Sequence, residues 1–191
     1  MAAIAVLKRL GAEVKEISLL DPKYSVAVYT ILQRSEVSSN LARYDGIRYG
    51  NKRSAFGEEA KRRMMLGTYT LSAGYYDQYY LKAQKVRTLI CRDFEEAFKK
   101  VDLIVGPTSP CTALPLGATK NASMFGELQD ILVEASSIAG LPGINLCSGF
   151  SGDGLPTGIQ IMGPHFSEEL ILKAGFAYEQ STEWHKRKPN L

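Results

Sequence analysis

Tyr79, Ala83, Val86, Ile90, Phe94 and Ala97 recur at spacings of three and four. That period draws one apolar stripe along a helix over 76–99, the clearest element in the sequence. An apolar stripe of that length has to be buried against another layer. The residues that follow offer one. DLIVG at 102–106 is a short apolar run closed by the turn-forming PTSPC, which predicts a buried strand. Residues 143–148 and 157–163 predict two more strands, joined by a loop that contains Asp153-Gly154. GFSGDG at 149–154 is glycine-rich, but no helix opens after it, so it is a hairpin loop and not a phosphate cradle.

Helices are predicted over 2–10, 22–43, 58–72, 124–139 and 168–181. Gly11 and Gly140 stop two of them, and Ser167 caps the last, with Glu168 and Glu169 in its first turn. Residues 13–19, EVKEISL, alternate polar and apolar and predict a further strand. The fold class is therefore α/β. Met1 enters its helix without a capping residue, which suggests a chain that begins inside an element.

The chain has 191 residues, enough for a single domain with a real core. A hydrophobic fraction of 45% with 23% charged residues excludes a disordered tail. The net charge of +3 argues against a dedicated nucleic-acid binder, which carries a concentrated basic footprint. Cys91, Cys111 and Cys147 are odd in number and widely spaced, so they suggest no disulfide framework and no metal site, and they fit a reducing cytoplasm. No apolar run reaches the length of a membrane span.

Self-contained catalytic machinery is hard to find. His165 and His185 are isolated, with no partner close in sequence. Ser38-Ser39 and Ser136-Ser137 fall inside predicted helices, away from the sharp turn on which a nucleophilic serine sits. Cys91 is a packed helix thiol, and Cys111 follows a turn. Tyr75, Tyr76, Tyr79 and Tyr80 precede Lys82, Lys85 and Arg87. An RNA-stacking platform is one reading of that cluster; a helix packed on its tyrosine face is the favoured one, given the weak overall charge.

Five segments carry a resemblance: SSNLARYDGIRYG (38–50), 56–90 beginning FGEEAKRRMMLGTY, DLIVGPTSP (102–110), IAGLPGINL (138–146) and GLPTGIQIMG (154–163). Together they resemble the C-terminal part of the amidase-signature family, and within it the A-subunit branch of the tRNA-dependent amidotransferases. The likeness covers nearly the whole chain. It implies a mixed sheet flanked by helices, with 1–191 as one partial domain. In that family a serine nucleophile, a second serine and a lysine lie in and before a Gly/Ser-rich segment. No such segment occurs here, so no catalytic residue is assigned and the chain alone is expected to be inactive.

The resemblance implies a role in glutamine recognition. Glutamine is a zwitterion, so its pocket needs a cation for the carboxylate and an anion for the ammonium. By motif, Arg63 in KRRMMLG matches the carboxylate-binding arginine, and Asp130 in ELQDILVEASSIAG matches the ammonium-binding aspartate. Tyr29 matches a tyrosine near the pocket entrance. The implied partners are subunits B and C, with Glu-tRNA(Gln) acted on through the complex. ATP and Mg2+ are used by the partner subunit, and no cofactor is expected on this chain. A stand-alone binding protein of the same lineage, or a piece of a general amidase, is the alternative. Two further departures stand out: NKRSA at 51–55 replaces a longer family segment, and Cys147 stands where proline is common.

Overall fold

The computed structural model describes residues 2–118 and 129–188. In sequence order its helices are α1 (Ala2–Arg9), α2 (Lys23–Ala42), α3 (Glu58–Thr70), α4 (Lys82–Phe98), α5 (Glu134–Ala139) and α6 (Glu168–Gln180). Its strands are β1 (Ile104–Pro107), β2 (Gly143–Phe150) and β3 (Pro156–Met162). The fold class is α/β, as expected. The molecule divides into two compact units, Lys23–Leu89 and Met1–Pro22 with Ile90–Leu191, and the division falls inside α4.

The second of these is the sheet unit. Its strand order is β1-β3-β2, and each described pairing is antiparallel. Ile104 pairs with Met162 and Gly143 pairs with Met162 from the other side, so β3 is laddered along both edges. Side chains alternate across a strand. Ile159 and Ile161 therefore share a face, and with Leu146, Ala3 and Tyr178 they form the core. Ala3 comes from α1 and Tyr178 from α6, so both helices lie on that face. Gly175 lets α6 approach the sheet, because a β-carbon there would already touch Ile144. The Tyr178 hydroxyl is pushed above the ordinary phenol value, first by burial. Cys147 lies within β2, whose register shifts between Cys147 and Gly149.

Three sequence expectations change here. Residues 13–19 form no strand. They are mostly exposed, and alternation alone cannot make a strand without a partner to ladder against. Of the helix expected over 124–139, 124–128 lie outside the described residues, Gln129 is helical, 130–133 form a bend and turn, and Glu134–Ala139 is helix again. The Asp130 carbonyl accepts from the N–H groups of both Val133 and Glu134, which closes the turn that leads into α5. Ser167 does not cap α6 with its side chain; its hydroxyl donates back to the Pro164 carbonyl at 2.7 Å.

The helical unit is built on the neighbouring helices α2 and α3, whose contact is closed by small residues. A β-carbon on Gly67 would sit 1.9 Å from the Arg34 carbonyl oxygen and 2.7 Å from Ser38 Cβ. Around that approach, Ser35 Oγ lies 2.7 Å from Thr70 Oγ1 and Ser38 Oγ 2.8 Å from Thr68 Oγ1. The short 51–55 segment folds as a 3-10 turn, Arg53–Ala55, and the Lys61 ammonium donates to the Ser54 carbonyl at 3.1 Å. Before α4 the backbone forms a π-helical turn, Asp77–Leu81, in which the Leu81 N–H reaches the Tyr76 carbonyl.

Gly67→Ala should force α2 and α3 apart. Overpacking of this kind costs about 1–3 kcal/mol. Amide exchange in both helices is expected to speed up accordingly, and unchanged exchange would refute the close approach at Gly67.

Candidate functional site

The helical unit brings Arg63 and Tyr29 together. Arg63 sits one turn before Gly67 on α3, and Tyr29 lies on α2. The tight α2–α3 approach is what puts the two side chains in reach. Arg63 Nη1 donates to the Tyr29 hydroxyl at 3.5 Å, a long contact, and the guanidinium is half-buried.

Glu59 holds the same guanidinium from one turn back. Arg63 Nε donates to Glu59 Oε1 at 2.7 Å. Arg62 donates to both oxygens of that carboxylate, through Nε at 2.8 Å and Nη2 at 3.0 Å. Those bonds, Arg62 first and Arg63 second, lower the Glu59 carboxyl to about 2. Arg63 is shifted upward, mainly by its bond to Glu59. Arg63 is thus charged and aimed, and of its five N–H donors Glu59 and Tyr29 take two. An arginine placed this way can grip a carboxylate with two more donors in a planar fork.

Asp130 belongs to the sheet unit and is exposed. Its segment is tied down by Gln160, a buried polar residue on β3. Gln160 Nε2 donates to the Pro107 carbonyl at 3.0 Å and to the Leu132 carbonyl at 2.7 Å. One side group thereby links the end of β1 to the turn that follows Asp130. Nothing in the sequence marked Gln160 for this, since a glutamine in an apolar strand has no periodic signature.

The sheet unit also contains an open cavity of about 940 Å3. The PTSPC turn, β2 and β3 line it, with Gln129 at its edge. Its lining holds hydrogen-bonded polar pairs: Thr108 Oγ1 donates to Asn145 Oδ1 at 2.5 Å, Ser148 and Thr157 hydroxyls meet at 3.1 Å, and Cys111 Sγ donates to Gln129 Oε1 at 2.8 Å. Gly158 makes the first pair possible, because a β-carbon there would lie 2.6 Å from Asn145 Oδ1. This cavity was not visible in the sequence; its walls come from segments far apart along the backbone.

The serine pairs set aside from the sequence are engaged locally. Ser136 and Ser137 both donate to the Val133 carbonyl, and Ser38 bonds across to Thr68. His165 borders a separate hollow of about 250 Å3 between α4 and the residues after α5. Tyr75, Tyr76 and Tyr79 are exposed, so the tyrosine face is not packed inside its own unit. Among the described residues no helix is long and apolar enough to cross a membrane, and no cluster of metal-ligating side chains occurs.

The family model described as Amidase matches residues 1–172. The glutamyl-tRNA(Gln) amidotransferase A-subunit of Microcystis aeruginosa is 50% identical over 203 residues, covering 99% of this chain and 42% of that protein. The A-subunit of Geobacillus kaustophilus is 47% identical over 206 residues, covering 100% of this chain and 42% of that protein. The present sequence therefore spans about two fifths of the length of these relatives. The solved A-subunit of Thermotoga maritima superposes with a TM-score of 0.71 at 40% identity, over 93% of this chain and 37% of that one. A 6-aminohexanoate cyclic dimer hydrolase shares the fold with a TM-score of 0.77 at 20% identity, over 98% of this chain and 41% of that one.

The Glu59 clamp is open to direct titration. Its lowered carboxyl supports the folded clamp above the usual carboxylate range, and that support fades as pH falls from about 4.5 toward 2. Carboxyl NMR is expected to place the Glu59 midpoint near 2, and Arg62→Ala should move it up toward the ordinary value. A Glu59 midpoint near 4.5 in the unaltered protein would rule the clamp out.

Proposed function

The chain belongs to the amidase family, and from that premise we propose that it forms part of the glutamine-hydrolysing A-subunit of a tRNA-dependent amidotransferase. The observation that carries this is 50% identity across 99% of its length to a protein of that name. The two-donor mooring of Arg63 supports it from the chemistry. In this proposal Arg63 takes the glutamine carboxylate, Asp130 takes the ammonium and Tyr29 borders the entrance. Selection of glutamine then depends on both charges of the zwitterion, because a desolvated charge left unpaired is strongly penalised.

Hydrolysis breaks the carboxamide C–N bond of glutamine, adds water and releases glutamate and ammonia. We assign no nucleophile to residues 1–191 and propose that they do not hydrolyse glutamine by themselves. In the complex, ammonia would pass to partner subunits of types B and C, where Glu-tRNA(Gln), activated with ATP and Mg2+, becomes Gln-tRNA(Gln). No part of that second reaction is placed on this chain.

In the full-length subunit within its complex, Arg63→Ala should raise KM for glutamine by about 10–150-fold, as expected for a lost charge-assisted bond worth about 1.5–3 kcal/mol. Turnover at saturating glutamine should change much less. Ammonia release measured against glutamine concentration decides it: an unaltered KM would remove Arg63 from the pocket. The 191 residues alone should release no ammonia, and steady turnover after repurification would overturn their assignment as non-catalytic.

A further inference from the structure

The net charge of the whole molecule, +3, conceals a strong asymmetry. Lys23–Leu89 carries twelve Lys and Arg against five Asp and Glu. The remaining residues are acidic by the difference. The same segment holds nine of the ten tyrosines. A basic, aromatic-rich unit is the composition used to bind nucleic acid backbone and bases together.

The tyrosines are also arranged for that purpose. Tyr69 and Tyr75 lie 4.4 Å apart between ring centroids, and Tyr79 completes a triangle at 6.1 Å from each. Tyr76 stacks on Tyr80 at 5.1 Å with 29° between the planes. The π-helical turn inserts an extra residue beneath this cluster, which re-aims the helix face, and such turns recur at functional sites. Tyr69, Tyr75, Tyr76 and Tyr79 are exposed, and Lys82 and Lys85 follow, exposed, on the first turns of α4. The hydrogen bond to Tyr75 pushes the Tyr69 hydroxyl up to about 12, which marks how closely these rings are held together.

We propose that this tyrosine and lysine surface of the helical unit contacts RNA, with unpaired bases stacking on the rings and phosphates meeting Lys82 and Lys85. The proposal rests on the amidotransferase reading for the identity of the RNA, which is then the tRNA substrate. Charge decides against a protein partner as the occupant. The core of a protein interface is depleted in lysine, whereas this surface joins lysines to aromatics within a unit of strong positive excess.

The test uses the assembled amidotransferase containing the full-length subunit, with unacylated tRNA(Gln) as the probe. Lys82→Glu with Lys85→Glu should weaken tRNA binding at least ~10-fold at low salt and reduce the salt slope by about 1–2, since about 0.7–0.9 is lost per phosphate contact. Tyr76→Ala and Tyr79→Ala should each cost about 5–150-fold in tRNA affinity, the range for one stacked base, while Tyr76→Phe and Tyr79→Phe stay within about twofold of the unaltered enzyme. Glutamine hydrolysis without tRNA should be unchanged in all of them. Two results overturn the proposal: tRNA affinity that none of these changes moves, or variants that shed a partner subunit on size-exclusion chromatography before they lose tRNA, which makes the surface a protein interface. An unaltered enzyme that releases no ammonia from glutamine would instead refute the amidotransferase reading, and the tRNA affinities would still decide the surface.

Discussion

Strand β3 is the element on which the sheet unit depends. It ladders with β1 on one side and β2 on the other, so both neighbours lose their partner if it moves. Its two faces do different work. Ile159 and Ile161 build the core with residues of α1, β2 and α6. Gln160 points the other way and holds two carbonyls, one at the end of β1 and one just past Asp130. Apolar burial thus sets the position of the sheet, and one buried amide transmits that position to a segment that carries a candidate ligand for glutamine. Burying an amide is tolerable because each of its donors has a partner.

The helical unit uses a different device. Its two central helices meet where glycine and two serines leave room, and that contact brings Tyr29 beside Arg63. Glu59 then anchors the guanidinium from its own helix. The arginine is exposed enough to reach a ligand yet moored at two points. Preorganisation of this kind reduces the ordering cost when a carboxylate arrives.

Most element identities were legible in the sequence, since they follow from local pattern. The long 76–99 periodicity, the DLIVG run and the 143–163 hairpin all appear where periodicity puts them. What was illegible depended on partners. The alternation at 13–19 reads as a strand, yet no strand forms there among the described residues, because a ladder is made by two segments. Ser167 has the right residue type for a cap, but its hydroxyl is turned toward the Pro164 carbonyl, to which it donates, and its oxygen accepts from no N–H of the helix. The tyrosines at 75–80 read as a packing face by helical spacing; their exposure is a property of what surrounds them. The proposed site residues Arg63, Asp130 and Tyr29 came through motif likeness. The moorings by Glu59 and Gln160 did not, because hydrogen-bond partners depend on geometry.

Composition and pattern by themselves determined an α/β class, the main helices and strands, and the family likeness. These are local or additive properties, and each residue contributes to them wherever the backbone goes. Tertiary structure alone decided which residues meet: Arg63 with Tyr29 and Glu59, Gln160 with two distant carbonyls, and the tyrosine rings with one another. The charge asymmetry, by contrast, was already in the sequence, since Lys23–Leu89 is one continuous stretch; the fold supplied only its boundaries as a compact unit. Which groups meet cannot be read from the sequence, because hydrogen bonds and electrostatic interactions act through the distances that folding sets.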